Sequence, residues 1–340
     1  MDLKKRNLGL MVLSLLMLVV ASCGGYPDDI ELGDSLDEPD RILYSRALFD
    51  LERGQFTRSR ILFNNLINTY PDSEYLPLAK FGLGETFYRG GTRSNLVQAQ
   101  AEFKDFITFF PTSPRSDDAQ LWVAMSHIKQ MEKSDRDPTQ GLLAEIELKN
   151  MIAGYPDSNL LDEAKDKLRA VQEIVADGGM RVGNFYSTTG NFVGAVDRYL
   201  EILDKYPDFT NISETLYRLA ETMLRGQNQG EAIVYYNRVI RDYPLSKSAE
   251  DATNRLAELE QPIPDPNPAA LERAQSASAV NGKGIFSKMF GLWSRRPDIS
   301  TETSAASIIG NDEDGDGQGL GEGTFEVEGT VIDGSSPPGQ

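Results

Sequence analysis

Residues 183–207 read GNFYSTTGNFVGAVDRYLEILDKYP, and the spacing of their apolar residues is the strongest indication of the fold class. Aromatic and apolar residues recur at helical spacing on both sides of Gly190, so the pattern predicts two helices joined by a short turn. The small side chain of Ala195 allows the two helices to approach closely, and the Tyr199 ring fills the groove between them. Pro207 ends the second helix, because the residue before a proline is pushed out of the α region.

The aromatic–proline step that closes this stretch occurs five times along the chain. The five steps are Tyr70–Pro71, Phe110–Pro111, Tyr155–Pro156, Tyr206–Pro207 and Tyr243–Pro244. A repeat of roughly 34 to 50 residues indicates a solenoid, in which each helix pair buries its apolar face against its neighbours.

The register of the repeat is similar to that of tetratricopeptide (TPR) repeats. We therefore predict an all-α fold in which residues 39–261 form five TPR-like helix pairs. Residues 249–260 would form a closing helix, and the stack would offer an elongated concave surface to a partner. Polar insertions are expected between the helices at 89–95 and 132–140.

The first 22 residues have the pattern of an export signal. A basic segment at 4–6 precedes an apolar run at 8–20, which is as long as the core of a signal peptide. The run ends in Val20-Ala21-Ser22-Cys23, which resembles the bacterial lipobox. The sequence thus predicts cleavage after residue 22, acylation of Cys23 with chains such as palmitate, and a flexible spacer at 23–38.

The composition argues against several classes of function. The chain carries 52 acidic and 34 basic residues, and its formal net charge of -18 has the wrong sign for neutralising nucleic-acid phosphates. Cys23 is the only cysteine and His127 the only histidine. Thiolate zinc sites and most histidine catalysts are therefore not expected. We predict that the protein is not an enzyme and uses no cofactor or metal.

Residues 262–340 have the composition of a disordered tail. Prolines are frequent at its start, and acidic residues recur among glycines and serines beyond Arg296. Within the tail, 284–296 is a short amphipathic segment with its apolar residues on one helical face. Two interpretations of this segment remain open, which are binding to a membrane or partner and an apolar patch without function.

These features together resemble the BamD family of outer-membrane protein assembly lipoproteins. The lipobox is followed by a short spacer and five aromatic–proline units. The segment 134–139, SDRDPT, is similar to an insertion in the third unit of that family, and 182–208 is similar to its fourth unit. The resemblance covers roughly residues 20–260.

The resemblance implies a non-enzymatic subunit of the β-barrel assembly machinery, lipid-anchored at the periplasmic face of the outer membrane. The implied partners are a BamA-like insertase, other assembly subunits and unfolded outer-membrane β-barrel proteins. The implied partner-binding positions are Arg198, Tyr44, Tyr70, Arg136 and Asp137. Arg198 would belong to the BamA contact, and the two tyrosines would lie on the side of an N-terminal substrate pocket. Core packing of the tyrosines and a merely solvated Arg198 remain open alternatives.

Two other functions remain open from the sequence. A different TPR envelope lipoprotein would act as a scaffold in cell-division coordination or polysaccharide export, and would copurify with peptidoglycan or export components. An envelope hydrolase, or the regulator of a cell-wall hydrolase, would be revealed by a zymogram.

Overall fold

The computed structural model describes residues 38–131 and 137–280, and within these ranges the chain forms twelve helices and no strand. The predicted all-α fold is confirmed. Cys23 and the segment 284–296 lie outside the described residues. In chain order the helices are α1 (Pro39–Glu52), α2 (Phe56–Thr69), α3 (Leu76–Gly90), α4 (Arg93–Phe109), α5 (Ser116–Ile128), α6 (Thr139–Gly154), α7 (Leu161–Thr188), α8 (Phe192–Lys205), α9 (Ile212–Arg225), α10 (Gln229–Asp242), α11 (Lys247–Glu258) and α12 (Pro268–Val280).

The helices α1 to α10 form five consecutive pairs, and α11 packs on the last of them. Each of these helices packs mainly against the one before it and the one after it. This arrangement is the helical-hairpin solenoid that the repeat predicted. In the part of the chain that the structure describes, no helix is both long and apolar enough to cross a membrane.

Each pair ends at its aromatic–proline step. The aromatic residue is the C-cap of the second helix, and its backbone has left the α region, with φ -127° and ψ 66° at Tyr70 and φ -129° and ψ 58° at Tyr206. Its N–H still donates to the carbonyl four residues earlier, as from Tyr70 to Leu66 at 2.9 Å. The proline therefore stops the helix where the sequence predicts.

The second helices of all five pairs share the same spacing of buried residues, which we call the buried register. A small residue is followed four positions later by a large side chain and three positions after that by an apolar one, and each of the fifteen is at most 2% exposed. The triplets are Ser59/Phe63/Leu66, Ala99/Phe103/Phe106, Ala144/Leu148/Met151, Ala195/Tyr199/Ile202 and Ala232/Tyr236/Val239.

The large side chain of the triplet packs against a small residue of the first helix. A Cβ added at Gly183 would lie 2.7 Å from Cε1 of Tyr199, and one at Gly84 would lie 2.9 Å from Cε1 of Phe103. Both distances are too short for real atoms, so glycine is required for the two helices to approach this closely.

Polar contacts tie successive pairs together at the aromatic–proline loops. The hydroxyl of Ser73 donates to Oδ2 of Asp40 at 2.5 Å, and the hydroxyl of Ser158 donates to Oδ2 of Asp117 at 2.6 Å. In each case a serine two residues after the proline reaches the first turn of the preceding first helix. The loop thereby fixes the position of one pair on the next.

The C-terminal end of the stack is held by a bidentate ion pair. Arg255 of α11 donates from Nε and Nη2 to the two carboxylate oxygens of Glu221 on α9, at 2.7 and 3.0 Å. The hydroxyl of Tyr236 on α10 donates to the same carboxylate at 2.5 Å. The carboxylate of Glu221 therefore links α9, α10 and α11.

The structure differs from the predicted boundaries in two places. The insertion expected at 89–95 is only a short turn, because Gly91 adopts φ +68° and the Thr92 hydroxyl accepts a capping bond from the N–H of Asn95 at 3.2 Å. The first part of the tail expected to be disordered contains α12. There the N–H of Asn267 donates to the carbonyl of Arg241 on α10 at 3.0 Å, and Ala270 is 3% exposed.

Candidate functional site

The first helices of the pairs lie along one side of the stack. Neighbouring first helices contact one another, as α1 does with α3, α3 with α5, α7 with α9 and α9 with α11. Within the described residues, neighbouring second helices make no contact of comparable extent. The stack is therefore tighter on the side of the first helices, and we call this side the first-helix face.

Two tyrosines stack on each other between the first and second pairs. Tyr44 lies on α1 and Tyr75 lies just before α3, with ring centroids 5.3 Å apart and an interplanar angle of 26°. Tyr44 is 5% exposed, and burial raises its pKa to about 12, so its hydroxyl stays neutral at physiological pH. Tyr75 is only partly buried and is the more accessible of the two rings.

Arg115 brings a positive charge to these tyrosines from the start of the third pair. Its guanidinium lies 4.0 Å from the centroid of the Phe81 ring, and its Nε lies 3.8 Å from Oδ2 of Asp118. Burial raises the pKa of Tyr44 and of Glu85, and the charge of Arg115 opposes the rise at both groups. The charge of Arg115 therefore acts on groups of the first and second pairs as well as on Asp118 beside it.

Two carboxylates lie near this charge, and burial disfavours their ionised forms. Glu85 on α3 is 7% exposed, and its Oε1 lies 2.6 Å from Nη2 of Arg89. Burial raises the pKa of Glu85 although Arg89 and Arg115 oppose the rise, and burial likewise raises the pKa of Asp118. Perturbed carboxylates of this kind are frequent at functional sites.

We call Tyr44, Tyr75, Glu85, Arg115 and Asp118 the N-terminal cluster. An aromatic ring can receive an aromatic side chain by stacking, and a guanidinium can donate to a peptide carbonyl or a carboxylate. The carboxylates can accept hydrogen bonds from backbone N–H groups. The arrangement suits the binding of an extended peptide.

Histidine and metal chemistry find no support at this face. His127 is 6% exposed, and its Nδ1 lies 2.9 Å from the side-chain oxygen of Gln140, so it belongs to the packing between α5 and α6. In the ranges 38–131 and 137–280, no group of three or more His, Cys, Asp or Glu side chains is placed to hold a metal ion.

Replacing Glu85 by glutamine is expected to stabilise the protein at neutral pH. A pKa raised by folding means that ionisation of Glu85 costs stability above the pKa of the unfolded chain, and that the cost disappears below it. The variant should therefore unfold at a higher urea concentration than the parent at pH 7, and the difference should vanish towards about pH 4. Urea titrations across this pH range measure it.

Glu147→Gln is the matched control for this experiment. Although burial raises the pKa of Glu147, hydrogen bonds from Lys104 and Gln120 hold it below the usual range. Its ionised form therefore stabilises the fold above the unfolded pKa, and that contribution is lost as the pH falls. Glu147→Gln should be less stable than the parent at pH 7. A loss of stability at pH 7 in Glu85→Gln would contradict the assignment.

The other residues implied by the family resemblance fall in separate places. Tyr70 is the C-cap of α2. Arg198 lies exposed on α8 and donates to Oε2 of Glu201 at 2.8 Å. Asp137 is exposed, and its pKa is lowered by the hydrogen bonds that Thr139 donates at the start of α6. Arg136 lies outside the described residues, as Cys23 does.

Four members of the N-terminal cluster, Tyr75, Glu85, Arg115 and Asp118, were missed by reasoning from the sequence. Tyr75, Glu85 and Arg115 come from different loops and helices, and only the stacking of pairs brings them together. A weak signal existed at Arg115, which follows Ser113-Pro114 at the start of a helix, where a basic side chain opposes the helix dipole.

Residues 36–230 match the family model described as YfiO, outer membrane lipoprotein. The outer membrane protein assembly factor BamD of Caulobacter vibrioides is 24% identical over 188 residues, which cover 55% of this chain and 61% of that protein. The BamD of Vibrio cholerae is 24% identical over 188 residues, which cover 52% of this chain and 73% of that protein. The chain thus spans less than two thirds of the Caulobacter relative.

Solved TPR structures align only loosely with the chain. The TPR2AB domain of yeast Sti1 gives a TM-score of 0.33 at 14% identity and covers 75% of this chain and 97% of that chain. A thermophilic TPR protein of Thermus thermophilus gives 0.29 at 17% identity and covers 64% and 97%. The fold assignment rests on the helix pairs themselves, and the family assignment on a match that extends over more than half of the chain. The chain belongs to the YfiO family, the BamD-type outer-membrane assembly lipoproteins.

Proposed function

We propose that the protein is a lipid-anchored subunit of the β-barrel assembly machinery that binds a BamA-like insertase and unfolded outer-membrane β-barrel proteins. The observation that carries the proposal is family membership over residues 36–230, combined with a stack of helix pairs that offers separate surfaces near its two ends. The protein would bring a substrate strand close to the insertase by binding alone and would make or break no covalent bond.

The N-terminal cluster is the proposed substrate site. An unfolded β-barrel strand carries aromatic side chains and unpaired backbone groups, which the partly buried Tyr75 ring and the Arg115 guanidinium can receive. Tyr44 is too buried to make the first contact, so its role would be to support Tyr75 from behind. The cost of burying Glu85 fits a site shaped for binding at the expense of stability.

Arg198 is the proposed contact to the insertase. Its side chain is 47% exposed, and its ion pair with Glu201 spans only three residues of one helix. Exposed pairs of this kind stabilise a fold by roughly 0–1 kcal/mol. The guanidinium can therefore exchange Glu201 for a carboxylate of the insertase at little cost.

The membrane anchor of the proposal is Cys23. Two or three acyl chains hold a protein on a bilayer stably, because each buried CH₂ contributes about 0.8 kcal/mol. The spacer up to residue 38 would let the helix pairs reach partners on the periplasmic face of the outer membrane. Membership in a family of outer membrane lipoproteins supports this location.

Reversing the charge of Arg198 is expected to weaken binding to the insertase. We expect Arg198→Glu to recover about tenfold less BamA homologue from detergent-solubilised membranes, since like charges facing across an interface cost at least ~1.4 kcal/mol. Arg238→Glu is the control, because Arg238 is 49% exposed and pairs within its own helix with Asp242. Quantitative pull-down of the lipidated protein measures both.

This pull-down tests the Arg198 contact and the assembly function separately. Equal recovery with Arg198→Glu and Arg238→Glu would remove Arg198 from the interface. Reproducible absence of a BamA homologue from the parent pull-down would reject the assembly function itself.

A further inference from the structure

Charge is distributed unevenly along the stack. Residues 38–131 contain eleven basic and eleven acidic side chains, whereas residues 137–280 contain fourteen basic and twenty-three acidic ones. The acidic character of the described chain therefore resides in its C-terminal part. The first pair is the most basic of all, and α2 contains two arginines and no acidic residue.

The outer side of the first pair carries an exposed cluster of arginines around an aromatic ring. Arg46, Phe49 and Arg53 follow one another at spacings of three and four residues, which places them on one side of α1. Phe49 is 50% exposed, and the Arg53 guanidinium lies 5.2 Å from its ring centroid. Arg58 at the start of α2 is 53% exposed beside them. We call these four residues the open-end surface, since no pair precedes α1 among the described residues.

Two of the three acidic residues near this surface, Asp40 and Asp50, are paired with other side chains. Asp50 is buried, and its Oδ2 lies 3.5 Å from Nε of Arg58. Glu52 is exposed next to Arg53 in the sequence, so the three arginines outnumber the exposed acidic side chain. Asp40 accepts a hydrogen bond from Ser73 in the next loop. The open-end surface is therefore positive although the whole chain is acidic.

We propose that the open-end surface lies on the anionic phospholipid headgroups of the membrane to which Cys23 is anchored. This proposal rests on the lipid anchor of the proposed function. Guanidinium groups bind phosphate with two parallel hydrogen bonds, and a phenylalanine between basic side chains is typical of segments that lie in the membrane interface. The ring would enter the headgroup layer while the arginines bind phosphates around it.

The length of chain before α1 keeps this surface close to the bilayer. Residues 24–38 separate the anchor from α1, and fifteen residues span at most about 50 Å when fully extended. A tether of this length raises the local concentration of headgroups at the surface, so weak contacts suffice. The acidic C-terminal part of the stack, which includes Arg198, would then be repelled from the bilayer and remain available to partners.

Depth-dependent quenching on vesicles tests the proposal. The full lipoprotein is made with a single added cysteine, either Phe49→Cys or Val234→Cys, and each is labelled with bimane. Val234 on α10 is 57% exposed and serves as the matched control. The proteins are bound to vesicles of phosphatidylethanolamine and phosphatidylglycerol that contain nitroxide-labelled lipid, or to phosphatidylcholine vesicles with the same quencher. Flotation of the vesicles reports the Cys23 anchor independently.

We expect quenching at position 49 to be several-fold greater than at 234, to require phosphatidylglycerol and to weaken at high salt. Adding Arg46→Glu and Arg53→Glu should lower it to the level at 234 without changing flotation. Equal quenching at both positions would overturn the proposal while leaving the anchor intact. So would quenching at position 49 that does not change when phosphatidylglycerol is absent or when the arginines are replaced by glutamate. Failure of the parent to float would overturn the anchor and, with it, this proposal.

Discussion

Replacing Tyr199 by alanine is expected to lower the free energy of unfolding by about 3–5 kcal/mol, the usual cost of truncating a fully buried aromatic side chain. The Tyr199 ring is 0% exposed and packs directly on Gly183 of α7. Its hydroxyl donates to Oδ1 of Asn184 at 2.7 Å. The variant therefore loses both the packing that joins α7 to α8 and one hydrogen bond.

The effect of this change should spread along the stack. Because each pair is stabilised mainly by its neighbours, weakening the fourth pair also exposes the faces of the third and fifth pairs. Hydrogen exchange should show the largest loss of protection in α7 to α9, and urea titration should show the loss of stability. Tyr199→Phe keeps the ring and should cost only about 1 kcal/mol.

Leu200→Ala provides the surface control for this series. Leu200 is the next residue on α8 but is 37% exposed, so its truncation should change stability little. If Tyr199→Ala and Leu200→Ala were equally mild, the fourth pair would not be held together by the buried register that all five pairs share.

Depleting the protein from cells is expected to remove folded β-barrel proteins from the outer membrane. Under the proposed function the protein holds unfolded strands near the insertase, and free diffusion of those strands, which aggregate, would not replace it. A plasmid copy of the parent should restore assembly. A Cys23→Ala copy should fail, because without acyl chains the subunit is released into the periplasm and its concentration at the insertase falls.

Most of the fold could be predicted from the sequence because the helix ends and the buried positions depend on residues that are close together in the chain. Tyr206–Pro207 and its four counterparts set the ends of the second helices, and the small–large–apolar triplets follow directly from the periodicity. The register proposed from Ala195 and Tyr199 also holds in the second and third units, where the aromatic is Phe103 and the large side chain is Leu148.

The helix α12 could not be predicted in the same way. Prolines before residue 268 and the weakly apolar sequence after it favour disorder when only local composition is considered. The helix is held in place because the N–H of Asn267 donates to the backbone of α10 and Ala270 is buried. These tertiary contacts join residues that the sequence pattern does not connect.

The candidate site was predicted only in part for a related reason. Tyr44 was identified, but the structure buries it and leaves Tyr75 as the more accessible of the two rings. Arg115 is about seventy residues away from Tyr44 in the sequence, and only the stacking of three pairs brings its charge close. Repeat proteins build their sites from residues one or more repeats apart, which periodicity alone does not identify.

The amount of folded β-barrel protein in the outer membrane after depletion tests the proposed assembly function. Heat-modifiable mobility in electrophoresis distinguishes folded from unfolded barrels in the membrane fraction. We expect loss of the folded form on depletion, rescue by the parent gene and no rescue by Cys23→Ala. Unchanged levels of folded barrels in depleted cells would contradict it.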